Sequence, residues 1–314
     1  MEIKQSLLRW LMEGDPAIRW QVLRDLLDAE PDTVRAERAR VAQAGWGADL
    51  LAQQTERGEW QGDDLSLLRT THCLVLLRDL GVDPQDPAVQ SAVKRVADHL
   101  RWEYHGGNLF FEGEVEPCMN AKVLAVGSYF GIRCDRVLER LLGEELADGG
   151  WNCDAPTSQR SSFHTTIAVL EALLEHETAF GATADTAAAR ARGEEYLLER
   201  QLLRRLSTGE IIDRAWTRFH FPPQWHYDVL RGLEYFRAAG RQPEERMNEA
   251  IGIVRQRRHQ NGRWPLVKPW PDDLLHFDME TQVGAASRWS TLRALRVLRW
   301  AEGEDAPQSV APHG

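Results

Sequence analysis

Gln54-Thr55-Glu56-Arg57-Gly58-Glu59-Trp60 decides the fold, because its frame returns in Glu145-x-x-x-Gly149-Gly150-Trp151 and in Arg258-x-x-x-Gly262-Arg263-Trp264. In each copy a glycine, which tolerates positive φ, ends one helix before the next begins. The tryptophan two residues later packs beneath the turn, and its ring N–H needs an acceptor there. Weaker versions sit near Gly106-Gly107-Asn108 and Gly209. With 12 tryptophans in the chain, this recurring setting explains the one outlying feature of its composition.

After each turn and a polar loop, the pattern predicts an apolar helix: Ser66 to Leu80, Cys118 to Phe130, Ser162 to Leu174, Trp225 to Phe236 and Ser287 to Trp300, with Pro16 to Leu27 as an earlier copy. The run Thr166-Ile167-Ala168-Val169-Leu170-Glu171-Ala172-Leu173-Leu174 is apolar on most faces, the mark of a helix buried on nearly all sides. Amphipathic helices lie between, such as Asp86 to Leu100 with Val89, Val93, Val96 and Leu100 on one face, and Pro243 to Arg257 with Met247, Ile251 and Val254. A hairpin of this kind cannot bury its apolar face alone, so alternation at a period of about 50 residues calls for a closed array. The expected fold is all-α: an α/α toroid of about six helical hairpins, with apolar helices in an inner ring and amphipathic helices in an outer one. No Pro/Gly/Ser-rich linker divides the chain, so 1–314 reads as a single domain with repeats over roughly 16–302 and a flexible tail at 303–314.

A formal charge of −10 without an extended basic run argues against a nucleic-acid backbone or an anionic membrane as partner. Met1 to Trp10 carries Glu2, Lys4 and Arg9 and lacks a continuous apolar stretch, so it is expected to be neither a signal peptide nor an integral membrane segment, and a cytoplasmic location follows. The 4 cysteines then read as free thiols or metal ligands rather than a disulfide framework.

The Gln-x-x-x-Gly-x-Trp frame resembles the repeat of the terpenoid cyclase and protein prenyltransferase superfamily, the squalene cyclase-like α/α toroids, from about Pro16 to Trp300. The resemblance implies a central cavity that receives a hydrophobic, isoprenoid-like small molecule. In the β-subunits of protein prenyltransferases, zinc is held by an Asp-x-Cys element and by the His of a Tyr-His-Thr element. Glu116-Pro117-Cys118 resembles the first, with Glu in place of Asp, and Phe163-His164-Thr165 resembles the second. Zinc is therefore the implied cofactor, with Cys118, His164 and Glu116 as ligands. Thiolate and imidazole are preferred zinc ligands in their own right. Cys153, in Gly149-Gly150-Trp151-Asn152-Cys153 just before the His164 helix, is a further thiolate. The competing reading of these residues is packing, with Cys118 buried at a helix start and His164 hydrogen-bonded within its own first turn. Cys73 and Cys134 read as structural.

The segment Phe221-Pro222-Pro223-Gln224-Trp225-His226-Tyr227-Asp228 opens the fifth apolar helix, placing His226 and Asp228 in its first turn. His226 would serve as a general acid/base oriented by Asp228 or Tyr227; otherwise Asp228 answers the helix dipole and His226 bonds a loop. Arg19, Arg288 and Lys122 would clamp an anionic head group such as a diphosphate, or else close the array by salt bridges. Trp20, Trp151, Trp225 and Trp289, with His72, would line the substrate cavity, or else the tryptophans serve the core. The Asp-x-Asp-Asp acid of class II cyclases is absent: Asp63-Asp64 and Asp272-Asp273 lack its form. The expected function is a zinc-dependent transferase or cyclase of the prenyltransferase/terpene cyclase-like type. The alternatives are a metal-independent cyclase or isomerase using His226 and Asp228, and a non-catalytic binding toroid with structural zinc. No partner subunit is indicated.

Overall fold

Helix starts follow local chemistry. Proline occupies the first position of the Pro16–Asp25, Pro31–Ala39, Pro87–His99 and Pro117–Tyr129 helices, where its missing N–H costs nothing. Asp15, Asp86, Asp228 and Ser287 each cap a helix by accepting a first-turn backbone N–H. In this computed structural model residues 3–60, 65–102, 106–268, 275 and 277–303 are described; Asp63, Asp64, Asp272, Asp273 and the tail from 304 onward lie outside them. The chain is all-α: among the described residues, the strands are two two-residue antiparallel ladders, Arg101–Trp102 with Asn108–Leu109 and Trp264–Pro265 with Ala286–Ser287. None of the described helices is long and apolar enough to cross a membrane.

The three turns share one set of bonds. Trp60 donates its ring N–H to the Leu50 carbonyl at 2.7 Å, Trp151 to Leu141 at 2.7 Å and Trp264 to Val254 at 2.8 Å. Each acceptor lies in the last turn of the preceding helix, among carbonyls that the helix itself leaves unpaired. The backbone N–H of the same tryptophans donates to Thr70, Thr166 and Thr291 hydroxyls at 3.2, 3.0 and 3.0 Å, each in the helix that follows. One residue thus staples the end of an amphipathic helix to the start of an apolar one. The weaker copies solve the problem differently. Trp102 donates forward to the Phe110 carbonyl at 2.9 Å, and after Gly209, where Ile211 stands at the tryptophan position, the Tyr227 hydroxyl donates to the Leu202 carbonyl at 2.7 Å.

The chain forms two compact units, one from its beginning through Gly47 together with the stretch from Leu197, the other from Ala48 to Tyr196. In the second, the Pro117–Tyr129 helix packs against both Ser66–Leu80 and Phe163–Phe180. Leu74, Leu77, Val123, Leu124, Ile167 and Leu170 are fully buried there. In the first, the Arg288–Ala301 helix packs against Pro16–Asp25 and Val229–Ala238. These three helices are also tied by charge. Arg296 reaches Asp25 at 3.3 Å and also pairs with Glu234, and Arg293 meets Glu234 at 2.5 Å. Burial alone would raise both acids, but Arg24, Arg296 and Arg237 around Asp25, and Arg293 and Arg296 around Glu234, outweigh it and hold both below the ordinary carboxylate range.

The predicted 66–80 helix is found as Ser66–Leu80, and most other apolar helices begin within a residue of their predicted starts. The exception is the fifth, which runs Val229–Ala238 rather than from Trp225. Asp228 caps it, so His226 and Asp228 precede the helix instead of lying in its first turn.

Candidate functional site

Pro117 starts its helix so that Glu116 is the N-cap residue and Cys118 falls in the first turn. The turn after Gly149 delivers Cys153 to the same place. Cys153 Sγ accepts the Cys118 backbone N–H at 3.3 Å and the Thr165 hydroxyl at 3.4 Å, while its own N–H donates to Thr165 Oγ1 at 3.3 Å. The Cys118 thiol donates to Glu116 Oε2 at 3.6 Å. Ligand atoms of Glu116, Cys118 and Cys153 all lie within 4.8 Å of one another, with Glu116 exposed and both cysteines half-buried. His164, second residue of the Phe163–Phe180 helix, is outside that set.

The two thiols titrate as a pair. Hydrogen bonding from Cys118 pulls Cys153 below the ordinary thiol value; burial opposes it, and the Thr165 hydroxyl reinforces it. Cys118 is pushed up by the adjacent Cys153 first, then by burial, with the Glu116 carboxylate adding to both.

A polar frame the sequence reading missed holds this loop. Glu114 is buried and its carboxylate accepts the Val115 and Glu116 N–H groups at 2.6 and 2.8 Å. Asn120 accepts from the Glu114 N–H at 2.9 Å and donates back to its carbonyl at 3.0 Å, and Arg140 donates to the Glu114 and Val115 carbonyls, both at 2.8 Å. An Asn facing inward in an otherwise apolar helix is the signal that would have found it. One turn past Cys118, the buried Lys122 Nζ lies 2.9 Å from His72 Nε2. A lysine ammonium only donates, so Nε2 accepts and the His72 proton sits on Nδ1, which is buried without a partner. Burial first, and then the Lys122 charge, hold His72 well below the ordinary imidazole value. Cys73 and Cys134 are buried and each is pushed up to about 12 chiefly by burial, as expected of structural thiols.

The remaining candidates fall in the first unit or in its partner's core. Asp228 is fully buried, its Oδ1 accepting the Arg231 N–H at 2.9 Å and Oδ2 the His220 N–H at 3.3 Å, so the carboxyl caps the helix and pins the incoming loop. Burial raises it to about 6 against the pull of Arg293. Burial also lowers the neighbouring His220 to about 4. The His226 ring lies 3.7 Å from that of Trp225, and its carbonyl accepts from Arg231 at 2.7 Å. Tyr227 is spent on Leu202, as above.

Arg19 is paired with Glu37 and the Gly14 carbonyl. Arg288 donates to the Trp10 carbonyl at 3.0 Å and lies over the Trp10 ring. Arg19 is thus held by a salt bridge, and Arg288 by a carbonyl and an aromatic ring. Trp151 is a core residue by its staple bond. Trp20 is covered by the guanidinium groups of Arg24 and Arg38. Trp289 stacks on Phe221 at 4.2 Å and on Trp46 at 6.2 Å, its ring N–H buried without a partner, while Trp225 is 38% exposed.

No protein-family model and no curated protein matches the chain. Solved structures similar to it include a protein from Actinoplanes, at 18% identity and TM-score 0.45 over 92% of this chain and 90% of that one. The type II terpene cyclase MstE from Scytonema is similar at 17% identity and TM-score 0.47, over 93% and 89% of the two chains. A variant of that cyclase in complex with geranylgeranyl dihydroxybenzoate is similar at 17% identity and TM-score 0.46, over 92% and 87%.

Proposed function

We propose that the chain is a zinc-dependent enzyme whose metal is held by Glu116, Cys118 and Cys153. The observation that carries this reading is the convergence of two thiols and a carboxylate, from two separate segments, to within 4.8 Å. Sulfur donors suit zinc and disfavour calcium or magnesium, and three protein ligands leave one tetrahedral position for water or substrate. The donors fit: the Cys118 N–H and Thr165 hydroxyl already point at Cys153 Sγ as they would at a metal-bound thiolate.

Zinc bound there would lower the pKa of a coordinated thiol or water enough to furnish a nucleophile near neutral pH. The chain's own residues set the stage. Thr165 and the Cys118 amide orient Cys153, Glu114 and Arg140 hold the loop carrying Glu116, and Lys122 adds positive charge one helical turn away. A hydrophobic, isoprenoid-like substrate undergoing alkyl transfer or cyclisation is the part of the proposal that rests on the resemblance of the Gly-x-Trp repeat.

Metal content by mass spectrometry tests the site, using tag-free protein under reducing conditions with zinc supplied. The parent should carry about one zinc per chain, as a three-ligand catalytic site requires. Cys118→Ala and Cys153→Ala should each lose it, and His164→Ala should keep it. A parent without zinc, or cysteine variants that retain it, refutes the assignment; loss in His164→Ala would make the site a closed, structural one.

A further inference from the structure

The third Gly-x-Trp turn differs from its sisters in charge. In the first two, the residue four before the glycine is an acceptor that engages an arginine of the next amphipathic helix: Gln54 takes Arg95 at 2.5 Å, and Glu145 takes Arg192 at 2.5 and 2.6 Å. In the third, that residue is Arg258, which donates to the Gly262 carbonyl at 3.3 Å. The turn packs on the chain's first helix, Gln5–Met12: a Cβ added to Gly262 would lie 3.5 Å from Leu7 Cδ2. Between them is a groove of about 380 Å³ whose walls include Lys4, Arg255, Arg258, His259, Asn261 and Arg263.

Among the described residues Lys4, Arg258 and Arg263 have no carboxylate partner; Arg255 has only Glu302 at 3.8 Å. Aromatic rings orient the guanidinium groups instead. Arg263 lies 3.9 Å over the Trp10 ring and Arg258 5.6 Å from that of Trp264. Stacking fixes a guanidinium plane while leaving its charge and in-plane N–H donors available, the arrangement that favours bidentate contact with phosphate oxygens. Lys4 is also the N-cap of its helix, so the positive end of that helix adds to the field. Such a concentration of positive charge stands out in a chain of net charge −10.

We infer that this groove binds a small, free phosphate-bearing anion, with Lys4, Arg258 and Arg263 supplying the charge and Asn261 a neutral amide. The site lies in the unit that does not contain Glu116, Cys118 and Cys153, and its ligand is independent of zinc.

Calorimetric titration of the full chain with inorganic pyrophosphate tests this, with sulfate as a second anion and vesicles containing phosphatidic acid as a second source of phosphate. Pyrophosphate should bind more tightly than sulfate and weaken with added salt. Lys4→Gln, an exposed change that removes no packing, should weaken binding about fivefold, and Lys4→Gln with Arg258→Gln by roughly the product of two such factors. Thermal unfolding of both variants checks that the fold is kept. Absence of pyrophosphate binding, unchanged affinity in the folded Lys4→Gln protein, or binding to vesicles alone would overturn the inference.

Discussion

Asp228→Asn isolates the buried carboxyl that caps the fifth apolar helix. Burial raises Asp228 from 3.8 to about 6 even though two backbone N–H groups and Arg293 favour its charged form. That interval corresponds to roughly 3 kcal/mol of differential stability, with no discount for solvent because the group is fully buried. The native state holds this proton more tightly than the unfolded chain does. The contribution is therefore fully present below about pH 4, the unfolded value, and is lost as pH rises through about 6. Asparagine does not titrate, and it keeps one oxygen for the Arg231 N–H. The unfolding free energy of the variant minus that of the parent should then rise by about 3 kcal/mol from pH 4 to pH 7.5. Asp25 and Glu234 titrate in both proteins and drop out of the difference. Urea unfolding followed by tryptophan fluorescence at constant ionic strength reads it. A difference that stays flat or falls with pH would show that the N–H groups and Arg293 compensate burial in full, and the account of this carboxyl would be wrong.

Replacing Trp151 by Phe should cost about 1–3 kcal/mol beyond any loss of packing, because the Leu141 carbonyl is left buried without its donor; chemical denaturation measures it, and an unchanged midpoint would refute the staple. Glu234→Gln removes the acid shared by Arg293 and Arg296, and breaking such a buried pair should cost about 3–5 kcal/mol. Because Asp25 and Glu234 are held below the ordinary range, the stability they supply is present above about pH 4 and lost as pH falls further, which thermal melts between pH 5 and pH 3 should register. Gly58→Ala should be more harmful than Gly131→Ala: both glycines have positive φ, but a Cβ at Gly58 would lie 2.9 Å from the Arg95 backbone, whereas nothing is within 4 Å at Gly131. The shared part of the cost is about 1–2 kcal/mol, and equal losses in denaturant titrations would rule out the close approach.

Two thiols illustrate how far the sequence reading reached. Cys118 was legible from the resemblance of Glu116-Pro117-Cys118 to an Asp-x-Cys element opening a helix, and Pro117 does start that helix, with Cys118 in its first turn. Cys153 was legible from its place just after a Gly-x-Trp turn. What no local rule carried was which of the neighbouring groups would join them: His164 has the right offset along its helix, yet Thr165, one residue on, is the one that touches Cys153. A rotation of a single residue on a helix turns a side chain by about 100°, and that rotation is set by the packing of Phe163–Phe180 on Pro117–Tyr129. The same holds for Arg19 and Arg288, whose partners Glu37 and Trp10 lie on helices that only packing brings near.

The sequence by itself determined the alternation of apolar and amphipathic helices and the turns that join them, because the bonds concerned are local. Each tryptophan ring bonds a carbonyl ten residues back, and each turn closes over a few residues whose φ values only glycine readily supplies. Tertiary structure alone decided the pairings across the chain: Cys118 with Cys153 at a separation of 35 residues, His72 with Lys122 at 50, and Asp25 with Arg296 at 271. A hydrophobic period specifies which face of a helix turns inward. It does not specify the neighbour that face meets or the rotation at which polar groups come into register, and the cluster of Glu116, Cys118 and Cys153 and the buried ion network both depend on that register.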